Sequence, residues 1–168
     1  MTTILEHTLN PDRPEMRKNH VVIFSKEFSV STSGRFDLVD VTEDVRSVVS
    51  ASGVLNGSAL VFCPHTTCSL LVGTPTTELV DSLHSAMDAL APPDAYYAHD
   101  DLSIRTENLV ANEPANAPAH LMNAVMGKVS ESVPVAGGEI VLGGGQRILF
   151  VELDSARPRR YLIQVAGE

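Results

Sequence analysis

The sequence predicts an α+β fold: a compact, strand-rich domain with mixed or antiparallel sheets and two or three inserted helices. Three observations carry that expectation. Runs rich in Val, Ile, Phe and Leu recur at His20–Val30, Ser58–Val72 and Gly143–Asp154, the composition of extended chain. Val45, Val48 and Val49, and again Leu79, Leu83, Ala86, Met87 and Leu90, fall at helical spacing. No repeat or low-complexity segment interrupts this order of strands with helices set between them.

A hydrophobic content of 43% supports a folded core, and 168 residues suit one domain, taken as residues 20–168. Met1–Asn19 is polar with two prolines. It reads as an N-terminal arm, either flexible or added as a strand to another chain.

His20–Val30 predicts the first strand, Ser31–Arg35 a turn at Gly34, and Phe36–Val39 a short return strand. Thr42 is placed as a helix N-cap, with Glu43 and Asp44 in the first turn and Gly53 as terminator. Asn56–Gly57 predicts a turn. The run Ser58–Val72 is then broken by Cys63, Pro64, His65 and Thr66. Pro64 removes a backbone donor, so a bend presenting His65 and Cys68 between two extended segments is expected.

Gly73 ends the second segment, Thr74 is placed as a cap and Pro75 at the first helical position. His84 lies off that helix's apolar stripe and is expected to be exposed, and Pro92–Pro93 stop the helix. Asp94–Pro118 is a long polar connection containing His99–Asp100–Asp101, the kind of loop that carries a site. A further helix is expected from Asn116 or Pro118 toward Gly127, with His120 in its first turn. Strands follow at Val133–Val135, Ile140–Leu142, the run after Gly145, and Tyr161–Val165, with Gly137–Gly138 as a turn. Alternation sets Glu152 on one face with Ile148 and Phe150. If buried, Glu152 needs a metal, an arginine or a histidine beside it; on an edge strand it would face solvent.

The formal net charge of −9, from 21 acidic and 12 basic residues, argues against nucleic acid and acidic membranes as partners. Arg157, Arg159 and Arg160 make a local basic cluster suited to an anionic small-molecule substrate. With no apolar run long enough to cross a bilayer and no secretory signal, a cytoplasmic location is expected. Cys63 and Cys68 fit neither a disulfide framework nor a four-cysteine zinc site and read as free thiols. Gly143–Gly145 lacks the lysine–hydroxyl pair and following helix of a phosphate loop, and reads as a tight turn.

His65, His99 and His120 stand 34 and 21 residues apart. Three neutral imidazoles can bind zinc and leave a fourth position open, but such spacing is no short metal motif, and on spacing alone structural histidines are the safer reading.

The pieces "HTTCSLLV" at His65–Val72, "YYAHDD" at Tyr96–Asp101, "PAHLMNAVMG" at Pro118–Gly127 and "GGGQRILFVELD" at Gly143–Asp154 resemble the YjbQ family, also called the secondary thiamine-phosphate synthase family. The resemblance spans roughly Gly34–Gly167. It implies a homotrimeric α+β domain with His65, His99 and His120 as metal-site residues and Glu152 nearby. It also implies a metal-dependent enzyme with weak thiamine-phosphate synthase activity, joining a pyrimidine diphosphate to a thiazole phosphate with diphosphate release. The expected cofactor is a divalent metal, zinc at the histidines or magnesium with the diphosphate. Glu152 would move a proton or orient a histidine, Arg157 would neutralise the departing diphosphate, and Cys68 would be nucleophile, ligand or packing group. A noncatalytic small-ligand-binding or assembly protein is the alternative. The chain departs from the family pattern at Gly73–Thr74, in place of Asn–Glu, and at Gly143–Gln146, in place of Gly–Thr–Trp–Gln. It departs again at Asp154–Arg159, in place of Asp–Gly–Pro–Arg. Loss of an acid and a tryptophan is expected to alter the pocket.

Overall fold

The run Ser58–Val72 splits where the sequence predicts, and its two halves enter different sheets. In the computed structural model, which describes residues 21–126 and 128–168, β3 (Asn56–Phe62) lies in a five-stranded sheet and β4 (Cys68–Gly73) in a three-stranded one. The predicted N-terminal arm and the helix terminator Gly127 lie outside the described residues.

The larger sheet runs β1 (Val22–Ser31), β8 (Pro158–Gly167), β3, β5 (Ser130–Ala136), β6 (Glu139–Ile140). The smaller runs β2 (Leu38–Asp40), β7 (Arg147–Glu152), β4. Every strand pairing is antiparallel. Among the described residues three helices are inserted: α1 (Thr42–Ser52), α2 (Thr77–Leu90) and α3 (Ala117–Met126). This is the expected α+β architecture.

One core holds Val45, Val48 and Val49 of α1 against Val61 of β3, Ile148 and Phe150 of β7, and Ile163 and Val165 of β8. A second, on the other side of β7, gathers Phe36, Met122, Val151 and Leu153. The central strand β7 is therefore buried on both faces, as its continuous apolar run requires.

Local signals were displaced in several places, each for a structural reason. Thr42 is the first helical residue rather than the cap. Its N–H donates to Asp40 Oδ1 at 2.9 Å, and its Oγ1 accepts from Ile148 N, also at 2.9 Å. Gly53 ends α1 with φ 70°, as predicted. Asn56–Gly57 forms the start of β3, not a turn. A Cβ on Gly57 would meet the Ala166 carbonyl oxygen at 2.1 Å, so this glycine permits the close approach of β3 and β8.

The second helix is capped by Thr76, whose side chain accepts from Leu79 N at 3.4 Å, rather than by Thr74. The return strand starts at Leu38 because Phe36 occupies a left-handed turn (φ 62°). Phe36 stacks there on His84, with ring centroids 4.2 Å apart, so His84 is half-buried instead of exposed.

Candidate functional site

His65 sits in the break between β3 and β4, His99 in the long connection after α2, and His120 in the first turn of α3. The three rings line one cavity of about 730 Å³, together with Arg105, Arg157 and Arg159.

The ring nitrogens have different partners. His65 Nε2 accepts from Arg160 N–H at 3.1 Å, which leaves Nδ1 to carry the proton in the neutral ring. His99 Nδ1 lies 2.8 Å from Asp100 Oδ1. His120 hydrogen-bonds to the backbone of Thr66 and tilts against His99, with centroids 4.8 Å apart. Burial, then the charge of Arg159, pushes the His65 pKa down. Burial, then His99, does the same to His120. Both rings are therefore neutral at pH 7.

A shared metal ion needs a lone pair from each ring, and that of His65 is committed to Arg160. Among the described residues, no group of three or more His, Cys, Asp or Glu side chains is placed to hold a metal ion. The three histidines nonetheless converge on one space.

Glu152 is fully buried, and its partner is an arginine. Arg159 donates through Nε to Oε2 at 2.7 Å and through Nη2 to Oε1 at 2.6 Å, and Nη2 also reaches Thr67 Oγ1 at 3.0 Å. Thr32 Oγ1 and Asp154 N–H complete the carboxylate's shell at 2.9 and 3.0 Å. Burial pushes the Glu152 pKa up, but these donors, Arg159 foremost, outweigh it and hold it below the usual value. Glu152 and Cys68 do not line the cavity; Arg159 stands between the carboxylate and that space.

Cys68 is fully buried with Sγ 3.7 Å from Glu152 Oε1. Its hydrogen bond with Cys63 and its burial push its pKa well up, so it remains a thiol. This is a packing environment.

The other two arginines differ in freedom. Arg105 donates to Glu113 Oε1 at 2.6 Å and to the carbonyls of His99, Glu107 and Asn108 at 3.1–3.2 Å, so it staples its own loop. The Arg157 guanidinium is held through Nη2, to Asp154 Oδ2 at 2.7 Å and Ser155 Oγ at 2.6 Å. Its Nε and Nη1 have no recorded partner among the described residues.

Gly73–Thr74 and Gly143–Gln146, where the chain departs from the family pattern, lie at the Arg147 end of the β4–β7 ladder, opposite the Cys68–Glu152 pair. Neither stretch lines the cavity. The expected effect of these two departures on the pocket is therefore not found here.

Sequence reasoning missed the pairing of Arg159 with Glu152 and the role of Asp100. The first was available in outline, since Arg159, Tyr161, Ile163 and Val165 alternate inward along β8.

The family model described as UPF0047 protein YjbQ-like matches residues 26–168. The chain belongs to the YjbQ-like UPF0047 family. Among its relatives, a UPF0047 protein of Methanothermobacter thermautotrophicus is 34% identical over 146 residues, covering 87% of this chain and 94% of the relative. Another, from Archaeoglobus fulgidus, is 33% identical over 138 residues, covering 82% and 98%. The crystal structure of a YbjQ-like protein of unknown function from Sulfolobus solfataricus P2 matches with TM-score 0.77 and 29% identity, over 89% of this chain and all of that one. A hypothetical protein of Aeropyrum pernix K1 matches with TM-score 0.73 and 33% identity, over 86% and 98%. The family fold thus extends over nearly the whole described chain. No helix among the described residues is long and apolar enough to cross a membrane.

Proposed function

We propose that this cavity binds a phosphorylated small molecule and supports weak thiamine-phosphate synthase chemistry, joining a pyrimidine diphosphate to a thiazole phosphate. The observation that carries the reading is the convergence of Arg157, Arg159 and the neutral His65 ring on one cavity. Two acids also line it: Glu113, already paired with Arg105, and Glu107, which is exposed. Arg157 offers free guanidinium edges to the diphosphate, and Arg159, charged and oriented by Glu152, stands beside it. Glu152 serves as a positioning residue for Arg159. Magnesium enters with the diphosphate as part of the substrate.

The test is titration calorimetry with inorganic pyrophosphate, followed by an assay with both precursors in the presence and absence of magnesium. Pyrophosphate binding weakened about tenfold or more by Arg157→Gln, together with slow product formation, is expected. Failure of the wild type to bind pyrophosphate overturns the reading. Binding without product would support a noncatalytic ligand-binding protein instead. That alternative is favoured by the engagement of both Glu152 oxygens, which leaves this carboxylate no free role in proton transfer.

The same proposal includes a homotrimer. Helix α2 carries an apolar stripe but buries none of its residues within the described chain, and Leu79 and Leu90 are each about half exposed. Coverage by other copies would remove that surface from water. Light scattering after size-exclusion chromatography should give three times the chain mass, and a monomer would reject this assembly.

A further inference from the structure

Thiamine-phosphate formation places a ring nitrogen's lone pair on carbon, so the incoming nucleophile has no proton to lose. The cavity nevertheless contains an imidazole held as a proton acceptor is held. Asp100 Oδ1 lies 2.8 Å from His99 Nδ1 and also accepts from the N–H groups of Asn116 and Ala117 at 3.1 and 3.0 Å. Arg105 Nη1 fixes the His99 carbonyl at 3.1 Å. A carboxylate, which can only accept, selects the Nδ1–H tautomer and leaves a lone pair on Nε2. Nε2 has no recorded partner among the described residues, and the ring lines the cavity that Arg157 and Arg159 also line. Because Asp100 binds the first amide of α3, it also fixes His99 relative to His120 on that helix.

We infer that the His99–Asp100 pair activates water, and that the cavity hydrolyses a phosphate ester or anhydride. The inference rests on the anion-binding reading of the cavity and goes beyond the transfer proposed above. In the step, the water oxygen bonds to phosphorus while one water proton passes to His99 Nε2. The bond from phosphorus to the leaving oxygen breaks with its electron pair staying on that oxygen, and the proton on Nε2 then moves to it. The products are an alcohol, or phosphate from an anhydride, and inorganic phosphate; nothing is oxidised or reduced. His99 is the catalytic base and Asp100 its positioning residue, the arrangement in which an acid behind an imidazole sets tautomer and direction.

The experiment combines three measurements on the full chain: nitrogen-15 NMR of the His99 tautomer, calorimetric binding of inorganic pyrophosphate, and phosphate release from p-nitrophenyl phosphate and from pyrophosphate. Wild-type His99 should be predominantly Nδ1–H. Asp100→Ala removes the only acceptor recorded for Nδ1 among the described residues, so the preference for Nδ1–H should be lost. His99→Gln should lower phosphate release about 10²- to 10⁴-fold while pyrophosphate affinity changes less than about threefold. An Nε2–H ring in the wild type overturns the inference. So does pyrophosphate binding without phosphate release above the His99→Gln level. Absence of pyrophosphate binding overturns the anion-binding reading itself, and this inference with it.

Discussion

Replacing Arg159 by methionine removes the partner of a carboxylate that has no contact with water. Side-chain exposures are 6% for Arg159 and 0% for Glu152, and two contacts of 2.6 and 2.7 Å join them. Breaking a buried pair from one side costs roughly 3–5 kcal/mol, because the remaining charge keeps its desolvation penalty. For a chain of this size that corresponds to a fall in Tm of roughly 6–20 °C. The pH dependence should also change sign. In the wild type the folded Glu152 pKa is depressed, so its contribution is full above the unfolded value of about 4.3 and is lost as pH falls through the folded value. In Arg159→Met the unpaired carboxyl pKa rises above the unfolded value. The folded state then binds more protons than the unfolded state, and stability falls as pH rises through that interval. Urea unfolding from about pH 3 to about pH 8 reads both effects. Adding Glu152→Leu removes the buried charge and should recover about half of the loss or more. A loss under about 1 kcal/mol, or an unchanged pH slope, would refute the claim that this pair joins the sheets at the site.

His65 and His120, whose pKa values are depressed in the fold, take up protons on unfolding below about pH 6.5. Stability should therefore fall as pH drops below that value, and His65→Gln and His120→Gln should each flatten the slope in urea melts at pH 7.5 and 5.5. Gly57→Ala forces a Cβ to 2.1 Å from the Ala166 oxygen and should cost about 1–3 kcal/mol by chemical denaturation. Gly144→Ala has open space and should stay within about 0.5 kcal/mol. Asp40→Ala removes the acceptor for the Thr42 N–H at the start of α1, with an expected cost of about 1 kcal/mol measured as a shift in Tm.

What the sequence made legible followed from burial patterns, and what it hid depended on contacts between distant segments. The break at Pro64, the end of α1 at Gly53 and the end of α2 before Pro92 are local effects of backbone chemistry, and all stand as expected. Asn56–Gly57 carries a turn signal of equal strength, overridden because β8 runs too close for any side chain at position 57. His84 looks exposed by helical phase, but Phe36, 48 residues away, covers it. The requirement that a buried Glu152 have a partner was readable from β7 alone. That the partner is Arg159 was missed, although alternation along β8 turns that residue inward, and the link from Asp100 to the amides of Asn116 and Ala117, 16 and 17 residues away, needed the fold.

The position of the site follows from two changes of sheet. Between β3 and β4 the chain leaves the larger sheet for the smaller at Cys63–Thr67, and between β7 and β8 it returns at Leu153–Arg157. These crossings lie side by side: Leu153 N–H donates to the Thr67 carbonyl at 3.1 Å, Cys68 is in register with Glu152, and Arg159 bonds both Glu152 and Thr67. At such a corner the backbone is released from regular ladders while the ends of four strands hold it in place. His65 comes from the first crossing and Arg157 from the second, while the connection after α2 supplies His99 and Arg105. The sheets therefore fix the anchors, and the crossings carry the chemistry. Exchanging residues 101–113 between family members should then alter ligand preference while leaving the unfolding transition of the sheets nearly unchanged. A matching loss of stability would place the loop in the cooperative core instead.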